Sequence, residues 1–461
     1  MNTPKTIVIV GGGFAGTTLA GVLEARWPQL LDGQWQLLLI SEESYTTFNP
    51  MLAEVVGAAV FPEHVIAPIR ALLQRTRFVM GQLQQVDTVQ RRLRCSTLAG
   101  ELEFGYDELV LAFGQRANLG LLPGLAEHAL PLKLVGDALH IRNRVLQRLA
   151  RIELSRDALE RQALGHFVVI GGGFSGVEVA GSLADFLRSA RRYYPRIEAG
   201  ELGISLLHDG DRLLPELPAA LGESAARSLR QRGVDVQLGT RATRIDAQAV
   251  ALASGALLAT HTVICTIGTQ RQPLVDALVA TTGLGLTRGR ITTAADCSVP
   301  GVPGLWALGD CAAVPNAADD QLSPPTAQFA VAQARQLADN LVARLQGRPT
   351  LAFSHRSRGM MATTGHRKGV ALLGGVQLTG LPAWLLWRAY YLSRLPTLGR
   401  KLRIWVEWTW GLFFPLDITH LRFTRTQDVD ALGEATPGAA ASFPSAPGAT
   451  APAPAPAQFQ R

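Results

Sequence analysis

Two segments of this chain repeat one pattern: an apolar run of strand type, a glycine turn, and an Ala/Val/Leu-rich helical stretch. The first is Ile7-Val8-Ile9-Val10 followed by Gly11, Gly13 and Gly16 in G-x-G-x-x-G spacing, with Phe14 and Ala15 between the last two. The second is Phe167-Val168-Val169-Ile170 followed by Gly171, Gly173 and Gly176, with Phe174 and Ser175 between, and then Val177-Glu178-Val179-Ala180. In such a turn the first glycine permits the bend and the second lets backbone approach a pyrophosphate. The third lets the helix pack against the strand. Phosphates then sit at a helix N-terminus, where free N–H groups and the dipole favour an anion. A single match would equally serve plain βα packing. Two in one chain predict two dinucleotides on one polypeptide, and so electron transfer between them.

A third signal assigns the first turn. Leu305-Trp306-Ala307-Leu308-Gly309-Asp310 is an apolar strand ending in Gly-Asp before the small segment Cys311-Ala312. An aspartate there can accept hydrogen bonds from ribityl hydroxyls while a flavin pyrophosphate rests on the first glycine turn. Alone, Asp310 would equally be a strand-end residue capping a helix. Leu109-Val110-Leu111-Ala112-Phe113-Gly114 is a further strand entering a glycine turn. Together these features favour FAD on the first unit.

The predicted class is α/β: two Rossmann-like domains, an FAD domain with an inserted NAD(P)H domain, plus a C-terminal amphipathic membrane-binding module. The FAD domain is expected at 1–115 and 285–350, the NAD(P)H domain at 116–284, the module at 351–430, and a disordered Ala/Pro-rich tail at 431–461. Residue types agree: 47% hydrophobic and 18% charged is no disordered polyelectrolyte. The net charge of +7 suits an anionic surface. Nucleic acid is not expected, since no recognition motif is present and Lys/Arg are not gathered in one block. Cys95, Cys265, Cys297 and Cys311 lack C-x-x-C spacing and read as buried thiols rather than a redox pair. The nine histidines show no ligand spacing, so no metal is expected. No signal-peptide pattern opens the chain and no apolar run reaches about 18 residues, which predicts a cytoplasmic body without a spanning helix.

Five of the eight tryptophans, Trp384, Trp387, Trp405, Trp408 and Trp410, fall close together, interleaved with Arg388, Arg394, Arg400, Lys401 and Arg403. From Leu398, apolar Leu402, Trp405, Val406, Trp410 and Phe413 recur at helical spacing, broken by Ile404 and Trp408. Aromatic bodies with cationic heads suit the headgroup layer of a membrane. A dimer interface, or a helix packed on the protein's own body, would use the same residues.

The whole pattern resembles the type II NADH dehydrogenases, single-subunit, non-proton-pumping NADH:quinone oxidoreductases of the respiratory chain. The resemblance covers roughly residues 5–425. It is carried by Tyr45-Thr46-Thr47-Phe48-Asn49-Pro50-Met51-Leu52, both glycine turns, Gly309-Asp310-Cys311-Ala312, Pro325-Thr326-Ala327-Gln328-Phe329-Ala330 with Gln333, and Gly380-Leu381-Pro382-Ala383-Trp384 with Trp387-Arg388. It implies hydride transfer from NADH to FAD, then two-electron reduction of a membrane quinone. The enzyme would be a peripheral, monotopic protein on the cytoplasmic face of the inner membrane, with a homodimer left open. On the resemblance, FAD is held by Gly11, Gly13, Phe14, Ala15, Gly16, Ser41, Glu42, Pro50, Ala112, Gly114, Gly309, Asp310 and Ala327. NAD(P)H is held by Gly171, Gly173, Phe174, Ser175, Gly176, Glu178, His208 and Gly268. Asn49, Gln328 and Gln333 line the quinone pocket, and Glu178 and Gln328 are the catalytic candidates.

Three departures qualify it. The acid expected after the second strand is Ser41, with Glu42 one residue later. The acid expected after Ile204-Ser205-Leu206-Leu207 is His208, which removes a ribose hydrogen bond and a repulsion against a 2′-phosphate, so NADPH joins NADH as a candidate donor. Ala332 stands where the family often has glutamine, leaving Gln333. A sulfide:quinone reductase would need cysteines bracketing the flavin. A soluble reductase or diaphorase would not need the Trp/Arg module. A nucleotide-sensing regulator shares the motifs, and turnover with quinone separates it from an enzyme.

Overall fold

The computed structural model describes residues 4–28 and 34–421. Strand β1 (Lys5–Val10) is buried from Thr6 onward, as an Ile/Val run at a sheet centre must be. Helix α1 (Phe14–Arg26) leads to strand β2 (Trp35–Ser41), parallel to β1 with Ile7 against Leu37 and Val10 against Ile40. Glu108–Leu111 pairs with the other side of β1. Leu305–Ala307 pairs with that strand in turn, so a segment distant in sequence completes the sheet. On the β2 side, Arg77–Asp87 continues in parallel and then folds back with Arg92–Thr97 and Gly100–Gly105 as an antiparallel meander.

Strand β3 (His166–Ile170), helix α2 (Phe174–Ala190) and strand β4 (Gly203–Leu207) repeat the unit in a five-stranded sheet that is parallel throughout. In both sheets the strand order reverses beside the first strand of the unit. The crevice beyond the carboxyl ends of β1 and β3 is therefore where ligands bind in this architecture. Helix α3 (Ala327–Leu345) packs along α1, burying Ala334, Leu337 and Leu341 in one core with Leu19 and Leu23.

The C-terminal module is an antiparallel sheet of β5 (Gly359–Thr363), β6 (Gly369–Leu373) and β7 (Val376–Thr379), followed by α4 (Leu381–Arg394) and α5 (Leu398–Trp410). It shares its core with α2 and with the helix Val135–Leu154. A side chain on Gly181 of α2 would overlap the backbone at Thr364, so sheet and helix are in direct contact. Residues up to Thr419 form one compact unit. Among the described residues no helix is long and apolar enough to cross a membrane. The tail expected at 431–461 lies outside the described residues, as do 422–430 of the module.

The tryptophans divide into two sets. Trp384, Trp387 and Trp408 are buried, the last two in the shared core, whereas Trp405 and Trp410 are more than half exposed. Ile404 and Trp408, which interrupt the apolar spacing of α5, form its inward face. The remaining stripe of Leu398, Leu402, Trp405, Val406 and Trp410, continuing to Phe413, faces outward. Helix α5 thus has two apolar faces, which a single-stripe reading of its sequence merges.

Candidate active site

The two glycine turns solve one steric problem in the same way. Gly11 has φ +119° and Gly171 φ +121°, where L side chains are strained, and a Cβ on either would run into the neighbouring strand's end at Ala112 or Thr266. A Cβ on Gly16 would overlap the carbonyl oxygen of Gly11, and one on Gly176 that of Gly171. Gly13 and Gly173 differ: a Cβ there meets nothing within 4 Å. Each is the N-cap of its helix, with no side-chain cap and no acidic residue in the first turn. Two helix N-termini with uncapped N–H groups, no competing carboxylate and open space at the second glycine fit a dinucleotide pyrophosphate.

One cleft of about 2360 Å³ runs over the first turn. Gly11, Gly13, Phe14, Ala15, Ser41, Glu42, Pro50, Ala112, Gly114, Gly309, Asp310 and Ala327 line it, together with Asn49 and Gln328. The start of α2 enters the same cleft with Phe174, Ser175 and Glu178. Gly16 and Gly176 do not line it, because they are the close-packing glycines of their turns. Gly171, Gly173 and His208 also lie off it, and Gly268 borders a small separate cavity of about 40 Å³ with Thr266 and Thr269.

Asp310 lines the cleft at the end of Leu305–Ala307. Burial raises its pKa, while Lys133 and Arg290 favour its charged form. Lys133 also lines the cleft, a cation that no spacing rule singled out. Gln333 lies apart from Gln328. It is buried, and its Oε1 accepts the Gly309 N–H at 2.8 Å, so it fixes the Gly-Asp turn instead of lining the cleft. Five residues along α3 rotate a side chain about 140° away. Ala332 does line the cleft, so Gln333 cannot replace the amide absent there.

Glu178 is the most perturbed acid at the cleft. It is 8% exposed, and its Oε1 accepts the Thr363 N–H at 3.1 Å and the indole N–H of Trp387 at 3.0 Å. Burial outweighs these donors and pushes its pKa up to about 8. Tyr391 stands edge-on to Trp387, with centroids 4.7 Å apart, and meets Phe48 at 5.8 Å. Phe48 in turn packs on Phe14 of the first glycine turn at 5.5 Å. An aromatic row therefore links α4 to the start of α1. The Trp387–Glu178 bond was not legible from spacing, because the Trp/Arg pattern pointed outward rather than into the core.

Between α5 and the cleft rim, His64 lies 2.9 Å from the Glu407 carboxylate, whose Oε1 also accepts the Phe61 N–H at 3.1 Å. Arg400 donates to the Glu63 carbonyl. The polar side of α5 is thus spent on the segment Phe61–Val65, not on water alone. All four cysteines are buried and unpaired, with burial raising each thiol pKa. Among the described residues no His/Cys/Asp/Glu group could hold a metal ion.

At the end of β4, His208 Nδ1 accepts the Gly172 N–H at 3.3 Å, with the Asp209 carboxylate 3.5 Å from the same atom. The side chain that follows β4 here carries no carboxylate of its own. His208→Glu should therefore weaken NADPH binding at least tenfold relative to NADH, since bringing like charges together costs several kcal/mol. Titrating each nucleotide into FAD-loaded protein checks this. An unchanged ratio would place the selection elsewhere.

Residues 5–334 match the family described as pyridine nucleotide-disulphide oxidoreductase. The chain is 28% identical over 415 residues to the type II NADH:quinone oxidoreductase Ndh of Mycobacterium tuberculosis, covering 87% of each chain. It is 30% identical over 416 residues to the demethylphylloquinone reductase NdbB of Synechocystis, with 87% of this chain and 95% of that one covered. The fold is similar to that of NDH2 from Plasmodium falciparum in complex with NADH, with a TM-score of 0.83, 18% identity, and 90% and 99% of the two chains covered.

Proposed function

This chain belongs to the pyridine nucleotide-disulphide oxidoreductase family and, within it, to the type II NADH dehydrogenases, and from that premise we propose how its cleft works and where it docks. It is an FAD-dependent NAD(P)H:quinone oxidoreductase. FAD held in the cleft would supply the redox chemistry, the transfer of a hydride's two electrons from NADH to quinone. The observation that carries the assignment of roles is one shared cleft, lined by the first glycine turn, by the start of α2 and by Gln328 of α3.

Around that cofactor the chain's own groups bind and orient. The α1 N-terminus with Gly11 and Gly13 holds the pyrophosphate, and Asp310, braced through Gly309 by Gln333, takes the ribityl hydroxyls. Ser41, which ends β2, and Glu42 after it line the cleft as candidates for the FAD ribose. The N-terminus of α2, with Gly173 open, holds the nicotinamide dinucleotide. Glu178 holds a proton at the cleft, and Gln328 and Asn49 offer amide groups to a quinone carbonyl.

The membrane is reached through α5. Its outward stripe of Leu398, Leu402, Trp405, Val406 and Trp410 exposes a contiguous apolar surface, with Lys401 and Arg403 beside it. Apolar bodies with adjacent cations lie well at an anionic bilayer surface. The enzyme is then a monotopic protein on the cytoplasmic face of the inner membrane, taking its quinone from the lipid.

A donor test on purified, FAD-loaded protein checks the activity. NADH should bleach the flavin and a short-chain quinone should restore it, whereas sulfide should do neither. Sulfide bleaching the flavin without nicotinamide, and failing once any of the four cysteines is replaced, would reassign the enzyme as a sulfide reductase.

A further inference from the structure

Behind Glu178 lies a second buried acid. Glu54 sits in the short helix Leu52–Val56, 7% exposed within the apolar run Met51-Leu52-Ala53-Glu54-Val55-Val56. Its Oε2 accepts the indole N–H of Trp408 at 2.6 Å, and burial raises its pKa. Arg388 of α4 lies between two indoles, 3.8 Å from the Trp384 centroid and 4.6 Å from that of Trp408, with its Nε buried and unpartnered. The Trp387 and Trp408 rings, each bound to one of the two carboxyls, are 6.1 Å apart. Two carboxyls thus lie on one indole pair, with a guanidinium beside the Glu54 end of it.

Two carboxylates in a dry site do not both ionise when a single cation serves them. That cation acts on Glu54: the positive charge of Arg388 favours its anion. Glu178 has N–H donors but no ion-pair partner among the described residues, and the Glu54 charge disfavours its anion. The other groups around the pair do not reverse this. Glu407 on α5 adds negative charge at Glu54, and the Tyr391 hydroxyl beside Glu178 is held protonated by burial. His366, packed on Trp384, is pushed down to about 4 by burial and nearby guanidinium groups, and is neutral. On the helix Val135–Leu154, which packs against Leu52–Val56, the buried cation Arg142 is engaged with Asp417. Arg232, facing α2 from its other side, is paired with Asp185.

We propose that Glu54 is a positioning residue for the quinone half-reaction: kept ionised by Arg388, it keeps a proton on Glu178 at the cleft. The inference rests on quinone being the acceptor. Reducing a quinone to a quinol takes two electrons and two protons. NADH supplies both electrons and one proton as hydride. The second proton leaves the Glu178 carboxyl for a quinone oxygen, and the resulting carboxylate is reprotonated from the medium. By repelling that carboxylate, ionised Glu54 favours its reprotonation.

The test follows turnover with a short-chain quinone against pH in FAD-loaded wild type, Glu54→Gln, Arg388→Gln and the double variant. Glutamine at 54 keeps an acceptor for Trp408. Activity carried by protonated Glu178 is lost as pH rises through its pKa. Neutralising Glu54, directly or by removing Arg388, lowers that pKa, so each single variant should move the alkaline limb down by about one pH unit or more. The double variant should match Glu54→Gln alone, because both changes act through one charge. Slower turnover at an unmoved midpoint, or shifts that add, would overturn the proposal. Should the variants fail to fold, redox-induced infrared spectra of the wild type decide: a protonated-carboxyl band at neutral pH is expected, and its absence contradicts the proposal. Wild type that never passes electrons to quinone would instead remove the acceptor assignment, and the proposal with it.

Discussion

Gly13→Val should give a folded protein that carries no FAD. The backbone at Gly13, φ −78° and ψ −169°, is extended and open to any residue, and a Cβ there meets no protein atom within 4 Å. The fold loses only an N-cap preference, about 1 kcal/mol. The valine side chain instead fills the space at the N-terminus of α1 that a pyrophosphate needs. Gly16→Val, three residues on, should do the opposite: its side chain would overlap the Gly11 carbonyl, so the protein should fail to fold or melt far earlier. Flavin absorbance per polypeptide and a thermal melt separate the two outcomes. A folded Gly13→Val protein with a full complement of flavin would mean that the first turn is not the cofactor cradle.

Replacing both Trp405 and Trp410 by serine should detach the enzyme from membranes without unfolding it. Both rings project outward, 54% and 60% exposed, and neither belongs to the buried core. Full burial of a large apolar side chain is worth about 1.5–3 kcal/mol, and half-burial in the headgroup layer roughly half of that. The pair therefore contributes about 1.5–3 kcal/mol to partitioning, roughly ten- to a hundred-fold in affinity. Binding to anionic vesicles should also weaken with salt, because the contribution of Lys401 and Arg403 is screened. Trp408→Ser supplies the contrast: that indole is 5% exposed and bonded to Glu54, so its loss should cost about 3–5 kcal/mol of stability. Unchanged vesicle binding in the Trp405/Trp410 variant, with the protein falling from dimer to monomer, would make the stripe an interface between two copies. Removing the whole module is a poorer test, since α4 and α5 place Trp387, Ile404 and Trp408 in the core shared with α2.

What was legible in the sequence was what backbone geometry dictates. Gly11 and Gly171 need a conformation that only glycine adopts without strain, and Gly16 and Gly176 need the absence of a side chain, so spacing alone locates both turns. The runs before Gly11 and Gly171 are apolar throughout because both faces of those strands are covered. What was not legible depends on which side of a helix meets which neighbour. Gln328 and Gln333 look alike in sequence, and only the winding of α3 sends one to the cleft and the other to Gly309. Five clustered tryptophans read as one surface, yet three of them are core residues because Glu54 and Glu178 offer buried acceptors to two indole N–H groups. A glutamate inside Met51-Leu52-Ala53-Glu54-Val55-Val56 was the available clue, since a carboxyl in so apolar a run must find a partner.

The central claim is that one cleft takes electrons from NADH and gives them to quinone. Its most direct measurement is anaerobic two-step mixing, with FAD-loaded protein first given one equivalent of NADH and then a short-chain quinone, while flavin absorbance is followed. The flavin should bleach in the first step and recover fully in the second, with one quinol formed per NADH consumed. Bleaching by NADH followed by no recovery with quinone, but recovery on admitting oxygen or a disulfide, would contradict it.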